Sequence, residues 1–394
     1  MFKLNDEQLK ELGAIDTVRE IEQQPEVWKE AFSNYQHKKK EIEAYMANLA
    51  NKHERIRVIF AGAGTSAFVG DTVLPYLKNK INENKWELTT APTTDIVSNP
   101  NVFFKKDIPT LLVSFARSGN SPESVATVEL GKQLVNDFYQ LTITCAQEGQ
   151  LAQRTQGDKQ NLLLLQPVRS NDKGFAMTSS FTCMLLTALL VFDTISDVEK
   201  EKLVDVISVM AKAIIDKEYD IQKIIDQDFE RVIYLGSGSL ASLTKEASLK
   251  ILELTAGKIA TLFDSSLGFR HGPKSFVDQK SLIFVFISNN YYTSQYDRDI
   301  LNEVYSDKIA KNVYSITTNP NKEFEGNEII YPEIGKEIQD GYLALPYMVF
   351  AQIFSVMASL KISNTPDTPS ATGTVNRVVK GVTIYPLSEG LEKC

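Results

Sequence analysis

The sequence predicts an α/β protein made of two tandem units, each a parallel sheet covered by helices on both faces. Two observations carry that expectation. The first is an internal repeat: Arg57-Val58-Ile59-Phe60-Ala61-Gly62-Ala63-Gly64 returns as Arg231-Val232-Ile233-Tyr234-Leu235-Gly236-Ser237-Gly238, each time an apolar strand running into a glycine turn. The offset, from 57 to 231, is the size of a domain. The second is the alternation of short apolar runs with helical stretches from Arg57 onward, the pattern of a parallel sheet with crossover helices. The next strand recurs too, 110–114 answering 281–285, but its continuation differs: Arg117-Ser118-Gly119-Asn120-Ser121 in the first half, Ser288-Asn289-Asn290-Tyr291 in the second. Only the first copy keeps an anion-binding loop.

Within the 394 residues, we expect four segments. Residues 1–52 lack strand patterning and place Trp28, Phe32 and Tyr35, then Ile42, Tyr45, Met46 and Leu49, at helical spacing, which predicts an N-terminal helical extension. The first α/β unit is set at 53–225 and ends in two bridging helices, over 181–195 and 197–225. The second, 226–363, includes a long apolar helix near 341–360. The last segment, 364–394, opens with a breaker-rich stretch too polar for core and too short for a domain, so it is expected to lie across the surface.

The formal net charge is −8, and no Lys/Arg cluster is longer than the run at His37-Lys38-Lys39-Lys40. Both features argue against nucleic acid as a partner. The apolar run at 183–192 is far shorter than the roughly 20 residues of a membrane span. The N-terminus lacks a signal-peptide core, so a cytoplasmic protein is expected. Cys145, Cys183 and Cys394 are widely spaced with no CxxC pair, which indicates free thiols rather than a disulfide framework or zinc site.

The loop at 117–121 leaves a strand and enters a helix with strong start signals: Ser121 as N-cap, Pro122 at the first helical position and Glu123 in the first turn. Free backbone N–H groups, a glycine, hydroxyls and a guanidinium together make a cradle for a phosphate monoester. A capped turn with an incidental arginine is the plainer alternative. Gly62-Ala63-Gly64-Thr65-Ser66-Ala67 also ends a strand and formally fits the dinucleotide fingerprint, as does Gly236-Ser237-Gly238-Ser239-Leu240-Ala241. The first copy offers no acid for a ribose, only Thr89-Thr90-Ala91, although Asp264 qualifies in the second. Thr65 and Ser66 suit a phosphate better.

On the helix after Gly238, the residues Glu246, Lys250 and Glu253 fall within an arc of about 60° at 100° per residue. Leu249 and Leu252 flank this stripe on one side; Leu243, Ala247 and Leu254 flank it on the other. Charges between apolar margins face a cleft or one another. An ordinary i,i+3 and i,i+4 salt-bridge ladder gives the same spacing. His37 and His53 lie in charged helical stretches and read as solvated. His271 sits in the braced loop Leu267-Gly268-Phe269-Arg270-His271-Gly272-Pro273, where an imidazole is either structural or held for proton transfer.

Taken together, these loops resemble the sugar isomerase (SIS) domain family, and the two-unit chain is similar to the isomerase half of glucosamine-6-phosphate synthase. The resemblance implies two tandem SIS domains of flavodoxin-like, three-layer αβα form. Gly64, Thr65 and Ser66, with Arg117, Ser118 and Ser121, match the family's two phosphate loops. Glu246 to Glu253 match its catalytic helix, His271-Gly272-Pro273 its ring-opening histidine, and 377–383 the tail that brings in a lysine, here Lys380. Over its length the chain looks most like the galactosamine-6-phosphate deaminase/isomerase group, also labelled tagatose-6-phosphate ketose/aldose isomerase. Two departures from the synthase bear on function. Ala116-Arg117 replaces a serine and a glutamine, shifting phosphate contacts toward a cation. No glutaminase segment precedes residue 52, and Met1-Phe2 exposes no N-terminal cysteine, so the expected direction is release of ammonia.

The implied reaction converts galactosamine 6-phosphate and water to tagatose 6-phosphate and ammonia. His271 opens the ring, Glu253 moves the proton from C2 to C1, Lys250 and Lys380 supply positive charge, and Glu246 orients water. No metal or redox cofactor is implied. The family further implies a homodimer or larger homo-oligomer, with His271 reaching a neighbour's site. Two rival readings use the same loops: a non-deaminating sugar-phosphate isomerase and a sugar-phosphate-sensing regulatory protein. The second would not need Glu253, His271 and Lys380 together.

Overall fold

The computed structural model describes residues 1–379 and 381–387. The first sheet holds β1 (Ile56–Gly62), β2 (Trp86–Pro92), β3 (Thr110–Ala116), β4 (Phe138–Thr144) and β5 (Asn161–Leu165), in the order β2-β1-β3-β4-β5. The second holds β6 (Arg231–Gly236), β7 (Ala260–Ser265), β8 (Ser281–Phe286), β9 (Asn312–Thr317) and β10 (Asn327–Ile330), in the order β10-β9-β8-β6-β7. Every pairing is parallel. The central strands β3, β4 and β8 are buried along their whole length, as sheets covered on both faces require. This is the flavodoxin-like order, and it occurs twice.

The repeat extends to register and backbone. Arg57 pairs with Thr110 and Val58 with Leu111; Arg231 pairs with Ser281 and Val232 with Leu282. The second glycine of each turn, Gly64 and Gly238, takes almost the same left-handed conformation, φ +55° and +56°. An L side chain is strained there, so glycine is what the turn demands.

The extension folds as helices Asp6–Glu11, Ile15–Glu22 and Gln24–Lys52. Trp28, Phe32, Tyr35, Ile42 and Leu49 are buried, and Tyr45 and Met46 pack against them. The Trp28 indole N–H donates to Thr182 Oγ1 at 2.9 Å. Two sequence readings shift. The acidic stretch 197–225 is two helices, Asp197–Ile215 and Glu218–Ile225; the turn between them lets Ile214 and Ile215, then Ile221, Ile224 and Ile225, all face the core. His53 is not solvated: its Nε2 lies 2.9 Å from the Tyr139 hydroxyl, and burial holds its pKa below the ordinary value.

The helix Asp340–Lys361 is long and apolar enough to cross a membrane, but 94% of its most apolar window is buried inside the protein. It lies between the two units. Tyr342 donates to Asp193 at 3.2 Å, Tyr347 to the Ile287 carbonyl at 3.2 Å, and Gln24 of the extension to Gln352 at 2.7 Å. Helix Ser239–Leu254 packs both on it and on helix Thr65–Lys78 of the first unit. The tail is tied to the extension through Asp367, which accepts from Thr17 N (2.8 Å), Thr17 Oγ1 (2.7 Å) and Asp16 N (3.1 Å) at the start of helix Ile15–Glu22.

Because Trp28 is fully buried and its N–H is satisfied, Trp28→Ala should cost about 3–5 kcal/mol. A urea melt measures it, and a loss under 1 kcal/mol would mean that the extension is not part of the common core.

Candidate active site

In flavodoxin-like sheets, ligands bind beyond the carboxyl ends of the strands where the chain reverses direction. Here that point lies between β1 and β3. A cavity of about 280 Å³ opens there, lined by Gly64, Thr65 and Ser66 after β1, by Arg117, Ser118 and Ser121 after β3, and by Glu253 from helix Ser239–Leu254. Phe175, Met177, Thr94, Glu123 and the tail residues Val375, Asn376, Arg377 and Val379 complete the wall. A larger cleft, about 440 Å³, lies between helix Gln24–Lys52 and β5. It contains none of the loop donors.

Ser121 occupies the N-cap position of helix Pro122–Leu134, as its sequence predicts, but its side chain makes no capping bond. The hydroxyl and the first backbone N–H groups of that helix therefore remain available at the cavity. Arg117 is 7% exposed. Its Nη1 donates to the carbonyls of Gly174 (3.3 Å) and Phe175 (3.0 Å), and its Nη2 to the carbonyl of Arg377 (2.7 Å). A guanidinium carries five N–H donors, so Nε–H and one Nη2–H are left for a ligand. Burial, followed by the nearby Arg377, draws the Arg117 pKa below its ordinary value. Asp172 and Glu253 act on this cation through space, but among the described residues it donates hydrogen bonds to carbonyls and to no carboxylate.

Lys250 is fully buried and stands at the centre of the charged helix face. Its Nζ lies 2.5 Å from Glu253 Oε2, 3.1 Å from Glu246 Oε1 and 3.1 Å from Thr65 Oγ1. The salt-bridge ladder and the cleft-facing stripe are thus one object. Glu246 is also fully buried, and its contact with Lys250 is an ion pair without hydrogen-bond alignment. Burial pushes the Glu246 pKa up to about 7, while Lys250 opposes the rise. Burial works to lower Lys250, but Glu246 and Glu253 together outweigh it and hold the ammonium above its usual range. Glu253 reaches the cavity; Glu246 and Lys250 lie behind it.

The other two catalytic candidates are not in this group. His271 follows a 3-10 turn on an exposed loop and does not line the cavity. Lys380 lies outside the described residues. Arg377, Thr94 and the loop 172–177 carry no predicted role in sequence, and Glu123 there marks only a helix start. The loop carries no side-chain signal in sequence, because its value lies in carbonyls that any residue supplies.

The second unit shows what became of the other cradle. The Ser237 and Ser266 hydroxyls and the Ser288 N–H all donate to the buried Asp297 carboxylate, at 2.5, 2.5 and 3.0 Å. Ser288 Oγ and Asn289 N–H donate to Asp340 at 2.6 and 3.1 Å. These donors are filled by the chain's own carboxylates, so an external anion has no place among them.

Fold and site together define a protein of the phosphosugar isomerase class, with two loops of hydroxyl and N–H donors from one unit facing a carboxylate helix from the next. No family model matches the chain. It is 42% identical over 375 residues to the D-galactosamine-6-phosphate deaminase AgaS of Escherichia coli, covering 94% of this chain and 95% of that one. It is 39% identical to AgaS of Shewanella sp. (strain ANA-3), covering 97% and 95%. Among solved structures, tagatose-6-phosphate ketose/aldose isomerase from Escherichia coli superposes with a TM-score of 0.85 at 38% identity, covering 95% and 97%. A candidate enzyme of the same description from Clostridium novyi NT superposes with a TM-score of 0.93 at 41% identity, covering 98% and 99%. The C-terminal domain of glucosamine-fructose-6-phosphate aminotransferase from Francisella tularensis shares the fold, with a TM-score of 0.72 at 16% identity. The chain belongs to the D-galactosamine-6-phosphate deaminase family.

The cradle yields two expectations. Arg117→Ala should weaken binding of a sugar 6-phosphate roughly 10- to 100-fold, the worth of one or two charge-assisted hydrogen bonds at about 1.5–3 kcal/mol. Calorimetry should find one phosphate per chain; two would mean that Asp297 does not close the second cradle.

Proposed function

We propose that the protein converts D-galactosamine 6-phosphate and water to tagatose 6-phosphate and ammonia. The observation that carries this reading is a single cavity that joins the phosphate-loop donors to Glu253. The 6-phosphate sits among Ser66, Arg117, Ser118 and Ser121, with the Gly64 and Thr65 backbone closing its base. That anchor carries the far end of the open sugar chain to the charged helix, so proximity supplies much of the rate.

Glu253 removes the C2 proton from the open amino aldose, giving an enolate whose charge the buried Lys250 ammonium stabilises, and O1 takes up a proton as the amine nitrogen gives one up. The same carboxyl returns a proton to C1. The product at C2 is a ketimine. Water adds to C2 and ammonia leaves, so that amino sugar plus water becomes ketose plus ammonia; Glu246, expected from sequence to orient that water, is buried behind Glu253 and acts instead by holding the Lys250 ammonium. Lys380 supplies a second positive charge by resemblance to the family.

His271 opens the ring in this scheme, and it does so from a neighbouring subunit. Two features support that assignment. The histidine is exposed and apart from the chain's own cavity. Exposed apolar side chains, Leu252, Phe263 and Leu267 at 47, 44 and 50%, lie on the same stretch of the second unit and suit burial against another copy. A homodimer is the smallest assembly that meets both. A doubly charged sugar phosphate does not cross membranes unaided, which supports a cytoplasmic location.

Ammonia release from galactosamine 6-phosphate and glucosamine 6-phosphate, measured side by side, tests the reading. Ammonia from the galacto sugar, with kcat at least about 100-fold lower in Glu253→Gln, is the expected result. Ketose formation from an unaminated sugar phosphate without ammonia would favour the plain isomerase. For pH, a Glu246 carboxylate that holds the Lys250 ammonium beside Glu253 requires that kcat rise through about pH 7, the value to which burial pushes that group. Glu246→Gln should remove this acid limb. The same shift has the opposite sign for stability: the folded state holds the proton more tightly, so the Glu246 contribution is full below pH 4 to 5 and fades as pH rises through about 7.

A further inference from the structure

We propose that Glu20, on the N-terminal extension, is a positioning residue for phosphate binding, because it holds the 172–175 loop whose carbonyls orient Arg117. The inference rests on reading the cavity as a phosphate cradle. Among the described residues no carboxylate accepts a hydrogen bond from Arg117; both Nη1 hydrogens go to the carbonyls of Gly174 and Phe175. The direction in which the free N–H groups point is thus set by a loop with no sheet or α-helix of its own.

That loop is pinned at two places. At one end the Asp172 carboxylate is saturated by Thr178 N (2.8 Å), Thr178 Oγ1 (3.1 Å), Ser179 N (3.1 Å), Ser180 N (2.9 Å) and Ser180 Oγ (2.5 Å), at the start of helix Ser179–Phe192. In its middle, Glu20 Oε1 accepts from the backbone N–H of Lys173 (2.5 Å) and of Gly174 (3.3 Å). The approach is close enough that a Cβ on Gly174 would stand 2.8 Å from Thr17 Oγ1 and 3.0 Å from Glu20 Oε2.

Stability alone is a poor reason for Glu20. It is 7% exposed, its Oε2 has no hydrogen-bond partner among the described residues, and burial followed by the charge of Asp172 pushes its pKa up to about 8. A buried carboxyl with a bare oxygen costs free energy that an apolar side chain would not. What it provides is a fixed loop. The same helix holds the tail through Thr17 and Asp367. The tail returns to the site, where the Arg377 carbonyl accepts from Arg117 and its Nε donates to the Asp172 carbonyl at 2.9 Å. Extension, loop, phosphate arginine and tail therefore form one closed circuit of hydrogen bonds, in which Glu20 touches neither cavity nor substrate.

The test is calorimetric binding of inorganic phosphate and of galactitol 6-phosphate, a non-reacting sugar phosphate, to the full-length wild type, Glu20→Ala, Glu20→Gln, Gly174→Ala, Arg117→Ala and the Glu20→Ala/Arg117→Ala pair. Glu20→Ala should weaken binding about tenfold. Glu20→Gln, which keeps the accepting oxygen, should restore it to within about twofold, and Gly174→Ala, which forces the loop off the helix, should reproduce the loss. Adding Glu20→Ala to Arg117→Ala should change nothing further, since the arginine it orients is gone. With the amino sugar, Glu20→Ala should raise KM and leave kcat within about twofold. Unchanged binding in Glu20→Ala, or an equal loss in the Arg117→Ala background, would overturn the inference while leaving the cradle intact. Should Glu20→Ala fail to fold, Gly174→Ala and Glu20→Gln decide: wild-type binding in Gly174→Ala overturns it. A wild type that binds neither ligand would remove the cradle reading and this inference with it.

Discussion

The site is organised by one buried ammonium. Lys250 has no exposed surface and makes three contacts, to Glu246, to Glu253 and to Thr65. The first two lie on its own helix in the second unit, while the third opens helix Thr65–Lys78 of the first. Burying such a charge carries a desolvation penalty of several kcal/mol, and buried ion pairs are often no more stable than apolar residues of the same size. This triad is better explained by position. It fastens the Thr65 loop of one unit to the carboxylates of the other, so in the proposed reading the distance between anchored phosphate and reacting carbon is set by the packing of two helices rather than by a flexible loop. It also places positive charge beside Glu253, where in the proposed mechanism negative charge develops on substrate as the proton leaves C2.

From this joint the division of labour between the repeats follows. Both sheets have the same strand order and register, and both present hydroxyls and backbone N–H groups beyond their carboxyl edges. In the first unit these donors stay open, and among the described residues the nearby Arg117 donates only to carbonyls. In the second, Asp297 and Asp340 fill the equivalent donors. The repeated fold thus leaves one set of donors open and closes the other with its own carboxylates, and the proposed acid–base chemistry falls to the helix after the second glycine turn.

Much of this was legible in sequence for a physical reason: strand and helix periodicities and glycine turns are local. The repeat gave both sheets, Ser121-Pro122-Glu123 gave a helix start, and the spacing of Glu246, Lys250 and Glu253 gave a shared face. What escaped depended on distant partners. Arg117 reads as a phosphate ligand, but its orientation comes from the carbonyls of Gly174 and Phe175, which carry no side-chain signature. Asp297 draws no notice in the sequence, yet it is buried under three donors from separate loops. His53 looks solvated until Tyr139, on a strand far along the chain, packs against it. The helix at 340–361 has the composition of a membrane span, and only its burial between the units shows its use.

The central claim is that a carboxylate of the second unit removes the C2 proton of a sugar anchored by phosphate in the first. Turnover of galactosamine 6-phosphate carrying deuterium at C2, followed by NMR, tests it most directly. The account predicts slowed turnover, with deuterium leaving C2 and appearing at C1 of the ketose or in solvent. A product that keeps deuterium on C2, as direct replacement of the amine by water would give, would contradict it.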